Sequence, residues 1–239
     1  MTQARPVVPL WRKISQTLVS EIGAEGLQPG AKLPTEAQLA ARFDVNRHTV
    51  RRAIEALVRT GMVRVEQGRG SFVAEDVLDY AVSSRVRFSE WIRKHNKEPS
   101  GQALRVQEVA ATRAVAAGLG VEPGATVALY ERLGMADGVP VSLARHYFPS
   151  ARLPGILEAL RSTGTITEAL GAVGVEDYVR QVTRVSARMP TAHEADLLQV
   201  SRIRPLLVCE NVNVDRAGTV VEFGVARYPS TRVQVVFEP

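Results

Sequence analysis

The sequence predicts an α+β protein in two parts, and three observations lead to this fold class. Residues 33–73 show two short helical patterns followed by an alternating segment that indicates a small hairpin. A unit of helix, strand, turn and strand occurs twice in the second half, at 112–149 and at 191–229. Hairpins and helices in this order are typical of an antiparallel sheet with helices segregated around it.

The same patterns predict the domain organisation. The chain has 239 residues, of which 45% are hydrophobic and 23% charged, so it is long enough for two globular cores. We expect residues 1–74 to form a helical domain that ends in the hairpin. Residues 75–101 should contain a linker and the first helix of the second part. Residues 102–239 should form the larger α+β domain.

Residues 33–59 predict two helices joined by a short turn. Thr35 is a good N-cap for the first, and Gln38 is spaced to complete a capping box with it. Asn46 is placed to cap the second helix. One face of the second helix is apolar and should pack inward. The residues of this face are Val50, Ala53, Ile54, Leu57 and Val58.

The outer face of the second helix is basic, with Arg47 and Arg51 one turn apart. The hairpin that follows contains Gly68 and Gly70 at its tip. Helix, turn, helix and glycine-tipped hairpin is the plan of a winged helix-turn-helix, whose second helix enters the major groove. Arginine can pair in a bidentate manner with guanine, so the predicted partner is double-stranded DNA. The alternative, a solvated basic face, is weakened because cap, apolar face, hairpin and charge agree.

A family resemblance strengthens this prediction. From Pro29 the sequence reads PGAKLPTEAQLAARFDVNRHTVRRAIEALVRTGMVRVEQGRGSFV. Residues 9–74 thus resemble the N-terminal domain of GntR-family bacterial repressors. The resemblance implies base or phosphate contacts on the second helix and at the wing. The candidate DNA-binding residues are Thr35, Arg47, His48, Thr49, Arg51, Gln67, Gly68 and Arg69. Family members often carry an arginine where Ala37 stands, so one family contact is missing here.

Charge, cysteine content and hydropathy restrict the class of protein further. The net charge of +5 is compatible with a polyanionic partner but too modest to establish one. Cys209 is the only cysteine, which excludes a disulfide within the chain and favours the cytoplasm. Its apolar neighbours predict a buried thiol. No apolar run approaches the ~18 residues of a membrane span, so no membrane partner is expected.

Residues 83–90 are hydroxyl-rich, contain Arg85 and Arg87, and lead into an amphipathic helix. Such a segment suits an anion, because the first turn of a helix has free N–H groups and a positive field. The alternative is that Ser89 caps the helix and the arginines are solvated. From the residues alone, this second interpretation is favoured.

The second half, residues 80–236, resembles the chorismate-lyase-like effector domain (UTRA) of the HutC branch of GntR repressors. The resemblance is carried by residues 130–132 with the turn at 137–138, by GTITEAL at 164–170, and by residues 221–228. It implies an effector pocket in which the first four of five residues face an anionic group. These residues are Arg87, Arg132, Thr165, Thr167 and Glu222.

Two departures and two further segments refine the expected effector. Some members carry a second arginine where Gly134 stands and an acid where Ala144 stands, and their absence argues against a sugar phosphate. Residues 85–89 and 184–190 look most like regulators of phosphonate utilisation or phosphate-linked uptake. The resemblance therefore implies a small anionic effector that bears a phosphate or phosphonate.

No pattern in the sequence indicates catalysis, a metal site or a cofactor. The four histidines lie in separate contexts, and one cysteine cannot supply a zinc cluster. There is no Walker loop and no dinucleotide fingerprint. Glu131 and Glu210, related by the duplication, could be taken for an acid pair, but carboxylates on strands beside arginines are more often in salt bridges.

We therefore expect a homodimeric repressor whose two winged domains read two half-sites and whose C-terminal domains bind effector and dimerise. An enzyme of lyase type with a DNA-binding appendage is one alternative, because the second half resembles a lyase fold. A DNA-binding dimer whose pocket is vestigial is another. Activity on a small acid would favour the first alternative, and a failure to bind any ligand would favour the second.

Overall fold

The computed structural model describes residues 9–24, 27, 30–60, 62–66, 68–74, 77–83, 85 and 87–237. The chain divides into two compact units, Met1–Asp76 and Val77–Pro239. The described part has the predicted α+β class, with a helical first unit and an antiparallel sheet in the second. Among its helices, none has the length and apolar character needed to span a bilayer.

The first unit contains three helices and a hairpin. Its elements are α1 (Leu10–Ala24), α2 (Glu36–Phe43), α3 (Arg47–Arg59), β1 (Val63–Glu66) and β2 (Gly70–Val73). The predicted capping box of Thr35 with Gln38 is confirmed, and Asn46 caps α3 by accepting a hydrogen bond from the amide of Thr49. Residues from all three helices and both strands share one core. That core includes Ile14, Leu18, Leu39, Val50, Ile54, Leu57, Val63 and Val73.

The prediction that Val58 packs inward is wrong. Val50, Ala53, Ile54 and Leu57 are at most 3% exposed, whereas Val58 is 41% exposed. The first four residues form the stripe that faces the neighbouring elements, and Val58 lies at its margin in the last turn of α3. Helical periodicity therefore predicts the direction of the buried face better than its width.

The second unit is built on one six-stranded antiparallel sheet. Its elements are β3 (Leu78–Ala81), α4 (Phe88–Lys94), β4 (Pro99–Ala110), α5 (Arg113–Leu119), β5 (Thr126–Ala136), β6 (Val139–Pro149), α6 (Ile156–Ser162), α7 (Ile166–Ala172), β7 (Tyr178–Arg188), α8 (Ala192–Leu198), β8 (Leu206–Asp215), β9 (Val220–Pro229) and β10 (Val233–Val236). The strand order is β4-β5-β6-β9-β8-β7. The units α5-β5-β6 and α8-β8-β9 occupy equivalent places, as the duplication in the sequence predicts, and β4 and β7 lie at the two edges of the sheet.

Helices cover the two faces of this sheet differently. One face packs against α5 and α8. On the other face, a buried cluster joins Trp91 and Ile92 of α4 to Ala144 of β6 and Ala226 of β9. The strands β3 and β10 pair in parallel and contribute Leu78, Tyr80 and Val233 to the same cluster. Neither β3 nor β4 was predicted from the sequence.

Cys209 belongs to the buried cluster around Trp91 and Ile92 and has no exposed surface. Burial raises the pKa of its thiol to about 11, which keeps the thiol protonated at neutral pH. The prediction of a buried core cysteine is confirmed.

Glu194 at the start of α8 offers a test of the packing on the α5 and α8 face. Its carboxylate accepts hydrogen bonds from Arg188 at 2.6 and 2.7 Å and from the Thr191 amide at 2.9 Å. The Arg188 hydrogen bonds, supported by the Thr191 amide and the charge of Arg227, outweigh burial and lower its pKa to about 2. The ionised form is therefore stabilised by folding.

We expect Glu194→Gln to lower the free energy of unfolding by about 1–2 kcal/mol at neutral pH. Because the folded pKa is depressed, this contribution is fully present above the unfolded value of 4.5 and is lost as pH falls toward 2. Urea unfolding across this pH range should show the difference from wild type shrinking on acidification. Glu158→Gln, at a solvent-exposed carboxylate, is the matched control. A difference that stays constant with pH would contradict this account.

Candidate functional site

The first candidate site is the exposed side of α3 in the first unit. Arg47, His48 and Arg51 are exposed, and Thr49 is half-buried. The amide and the hydroxyl of Thr49 both donate to the Asn46 carboxamide oxygen, at 2.9 and 3.0 Å. The cap thus holds the first turn of α3 while the side chains of Arg47 and His48 stay in solvent.

Arg51 is already oriented by a neighbour. Its Nε and Nη2 atoms donate to the two carboxylate oxygens of Glu36, at 3.1 and 2.9 Å. This hydrogen bonding lowers the pKa of Glu36. Glu36 directly follows Thr35, whose hydroxyl and amide both bond to the Gln38 side chain within the capping box. The start of α2 therefore supports the basic side of α3.

The hairpin β1–β2 carries the remaining DNA-binding candidates. Gly68 has φ +75°, and no atom lies within 4 Å of where its Cβ would be, so the tip is open for a close backbone approach. Arg69 is exposed, and its guanidinium lies 5.7 Å from the ring centre of Phe72. Gln67 lies outside the described residues.

Two further basic residues surround the same ring. The Lys32 ammonium lies 6.0 Å and the Arg64 guanidinium 5.1 Å from the centre of the Phe72 ring. With Arg69 they form a basic group beside the hairpin that the sequence analysis did not single out. Lys32 precedes α2 and reaches Phe72 through a backbone bridge, so only the fold brings these residues together.

The second candidate site is a cavity of about 320 Å³ on the sheet face that carries α4 and α7. Its lining comes from β5, β6, β7, β8 and β9 of the sheet and from the elements packed above them. All five residues that the resemblance implies lie around this one cavity. They are Arg87, Arg132, Thr165, Thr167 and Glu222.

One end of the cavity is built around Tyr178. Arg87 lies with its guanidinium 3.8 Å from the centre of the Tyr178 ring and donates to the Tyr178 carbonyl at 3.0 Å. The hydroxyls of Thr167 and Tyr178 are 3.0 Å apart, and burial raises the pKa of Tyr178. Arg132 faces the cavity with its guanidinium 5.0 Å from the ring centre of Phe88. Thr165 caps α7 and accepts the Glu168 amide at 3.2 Å.

The floor of the cavity holds a buried carboxylate. Glu222 is 3% exposed, and its two oxygens contact Nδ1 of His146 at 2.5 Å and the Asn213 amide at 2.6 Å. Burial alone would raise the pKa of Glu222, but His146, Asn213 and the charge of Arg180 together lower it. Glu222 is therefore an ionised group whose charge is largely compensated by its neighbours.

Sequence reasoning missed many of the cavity residues, among them His146, Arg180 and Asn213. Each of these residues lies on a strand. The alternation of side chains along a strand separates the two faces of the sheet but does not show which face lies under helices and which lines a cavity. The only available signal for Arg180 was a cation in the interior of a strand that also carries Tyr178.

The interpretation of residues 83–90 favoured by the sequence alone is wrong. The helix begins at Phe88 with Arg87 as its N-cap and without a side-chain capping bond, so Ser89 lies inside α4. Arg85 pairs with Asp177 at 2.5 and 2.8 Å, and Arg87 packs on Tyr178. Contacts with residues about ninety positions away in the sequence override the local capping preference.

Glu131 and Glu210 lie on the sheet face opposite the cavity. Glu131 accepts a hydrogen bond from Arg145 at 2.5 Å on that face. These two carboxylates therefore do not form an acid pair in the cavity. Among the described residues, no three histidine, cysteine or acidic side chains gather to hold a metal ion.

A winged helix-turn-helix unit followed by an α+β unit with a basic cavity is the architecture of a DNA-binding regulator with a ligand domain. Residues 10–73 match the family of bacterial regulatory proteins called gntR, and residues 94–234 match the UTRA domain. The chain belongs to the GntR family of bacterial transcriptional regulators, within its HutC branch. The family prediction from the sequence is confirmed.

Three similar proteins place the chain more closely. An HTH-type transcriptional regulator of Rhizobium meliloti (strain 1021) is 35% identical over 97% of this chain and 95% of its own. The transcriptional regulator PhnF of Escherichia coli (strain K12) is 33% identical, with 87% of each chain covered. The crystal structure of PhnF from Mycobacterium smegmatis is 25% identical, covers 95% of this chain and 98% of its own, and has a TM-score of 0.63. Both named sequence relatives are transcriptional regulators, which favours regulation over an enzyme of lyase type.

Proposed function

We propose that the protein is a cytoplasmic, homodimeric repressor that a small phosphonate- or phosphate-bearing anion releases from DNA. Each winged domain reads one half-site of the operator. On DNA, Arg47 and Arg51 contact bases, and Thr49 contacts a phosphate or a thymine methyl group. Further residues contact the phosphate backbone of the DNA. They are the cap residue Thr35, the exposed His48 and the wing residues Gln67, Gly68 and Arg69.

The observation that carries the effector class is the excess of arginines over carboxylates around the cavity. Arg87, Arg132 and Arg180 face it, and none has a carboxylate within 4.0 Å among the described residues. Arginine does not lose its proton in proteins, so the three charges persist. Partly buried cations without a carboxylate in contact favour an incoming anion.

The groups that line the cavity suit a tetrahedral anion. They include two guanidinium groups, from Arg87 and Arg132, and two hydroxyl groups, from Thr165 and Thr167. Charge-assisted hydrogen bonds from such groups match the several oxygens of a phosphonate or phosphate better than the two of a carboxylate. The resemblance to phosphonate-utilisation regulators and the match to PhnF support the same class.

The position of Gly134 supports a small effector. A Cβ atom there would lie 2.4 Å from the Ser142 hydroxyl and 2.6 Å from the Phe88 ring. The second arginine that some family members carry at this position does not fit in this cavity. We infer that Phe88 occupies its space and that the anion is held by fewer cations than a sugar phosphate would be.

The response requires that the effector bind more tightly to a dimer geometry that fits DNA poorly, because only differential affinity shifts such an equilibrium. Tyr80, which lines the cavity, belongs to β3, and β3 begins two residues after the first unit ends at Asp76. We propose that this short connection transmits the change.

An operator gel-shift titration tests the proposal. The expected result is that methylphosphonate, a longer alkylphosphonate or inorganic phosphate releases the DNA, whereas propionate at the same ionic strength does not. If no phosphonate or phosphate compound releases DNA, the effector class is wrong. Calorimetry with the same compounds then distinguishes a vestigial pocket, which would bind none of them, from a pocket of different specificity.

A further inference from the structure

Arg180 is a cation in the floor of the cavity that no resemblance assigns to ligand binding. Its Nη1 atom donates to the Tyr80 hydroxyl, and its Nε atom is buried without a hydrogen-bond partner. Its Nη2 atom makes no hydrogen bond to the described residues and is not among their buried, unsatisfied atoms. One face of this guanidinium is thus held, and one nitrogen remains available toward the cavity.

Among the described residues, Arg180 has no carboxylate within 4.0 Å. Burial alone would lower the pKa of Arg180, but the hydroxyls of Tyr80 and Tyr228 and the field of Glu222 together raise it, so the guanidinium is charged. Glu222 already contacts His146 and Asn213. The cation therefore keeps hydrogen-bonding capacity for an anionic group of a ligand.

Arg180 and Arg87 are separate cations of the cavity lining. Arg87 is anchored on Tyr178, and Arg180 follows Tyr178 by two residues on β7, on the same side of the strand. Two residues of a strand span about 7 Å. If Arg87 and Arg132 bind one compact anionic group, Arg180 remains available to bind a second group of the same ligand.

We propose that Arg180 binds a second acidic group, so that the effector is a short molecule with a phosphonate or phosphate at one end and a carboxylate or second acid at the other. This inference rests on the proposed function, because it takes the Arg87 and Arg132 end as the site of the first anion. It narrows the effector from an alkylphosphonate with one acidic group to a short molecule with an acidic group at each end.

The test compares three phosphonates with the same two-carbon spacer by calorimetry on the full-length protein. They are 3-phosphonopropionate, propylphosphonate and 2-aminoethylphosphonate, whose ends are anionic, neutral and cationic. We expect 3-phosphonopropionate to bind about tenfold more tightly than propylphosphonate, because the second acid gains charge-assisted hydrogen bonds. The ammonium compound should bind most weakly of the three.

Variants at Arg180 assign this preference to one side chain. In Arg180→Met, 3-phosphonopropionate and propylphosphonate should bind within about twofold of each other, because the charged donor is gone. Arg180→Lys should keep part of the preference. Arg216→Met, at a surface arginine paired with Asp177, should keep all of it. Thermal melting of the unliganded Arg180→Met protein shows whether the variant is folded.

Each other outcome is decisive. If the three phosphonates bind equally, or if 2-aminoethylphosphonate binds most tightly, Arg180 is not a second anion site, while the proposed effector class survives. If Arg180→Met lowers the melting temperature and leaves the preference for 3-phosphonopropionate intact, the role of Arg180 is structural. If none of the three binds, the proposed effector class fails and the inference fails with it. The wild-type comparison and Arg180→Lys keep the test valid even if Arg180→Met does not fold.

Discussion

Arg132→Met is expected to weaken binding of a phosphonate or phosphate effector by about 2–3 kcal/mol, a loss of roughly thirty- to more than a hundredfold. Arg132 lines the cavity, packs beside Phe88, and has no ion pair among the described residues. Its removal therefore takes a cation from the site without leaving a buried carboxylate unpaired. Calorimetry with the effector identified by operator release measures the loss directly.

The same variant should still bind operator DNA but should no longer be released by effector concentrations that release wild type. Arg216→Met, which removes a surface arginine outside the cavity, is the matched control and should behave as wild type. Unchanged effector affinity in Arg132→Met, with an unchanged melting temperature, would show that the anion does not bind at this end of the cavity.

Arg51→Ala is expected to cost about 1–3 kcal/mol at the cognate operator and less at unrelated DNA, if its guanidinium reads a guanine. The Arg51 and Glu36 side chains are 56% and 34% exposed, and a surface pair of this kind contributes only about 0–1 kcal/mol to stability. The variant should therefore fold, and its loss can be assigned to DNA contact. Fluorescence anisotropy with operator and scrambled duplexes separates the two affinities.

Arg59→Ala is the matched control for this measurement, because Arg59 is an exposed arginine of the same helix, but in its last turn. Both variants remove one positive charge, so the nonspecific electrostatic loss should be similar. Equal losses at operator and scrambled DNA in Arg51→Ala would indicate a phosphate contact instead of base recognition.

The parts of the fold that depend on neighbouring residues were predictable from the sequence. Thr35, Gln38 and Asn46 satisfy the free N–H groups of nearby helix turns, and the structure shows these caps. Gly68 and Gly70 mark the hairpin because both have positive φ. Capping and turn chemistry act over a few residues, so the local sequence contains the information.

The cavity was predictable only through the family resemblance. Residues 83–90 alone favoured a helix capped by Ser89, yet Arg85 pairs with Asp177 and Arg87 packs on Tyr178, both about ninety residues away. Strand alternation separates two faces of a sheet but does not show what covers each face. The sequence alone therefore did not distinguish Arg180 from a solvent-exposed cation on a strand.

Long-range pairing explains why β3 was not predicted. The strand Leu78–Ala81 pairs in parallel with Val233–Val236, which is some 155 residues later in the chain, and it was not predicted. A four-residue strand has no distinctive periodicity of its own. Its partner and the buried cluster beneath it determine its conformation, so the linker predicted for this region is partly a strand of the second unit.

The central claim is that α3, supported by the hairpin, reads specific DNA. Selection of DNA fragments from the organism's own genome on the purified protein, followed by sequencing, tests it most directly. The account predicts enrichment of a sequence with two symmetric half-sites, and loss of that enrichment when Arg47 and Arg51 are both replaced by alanine. If wild type enriches no sequence even at low ionic strength, or if the double variant enriches the same sequence equally well, the claim is contradicted.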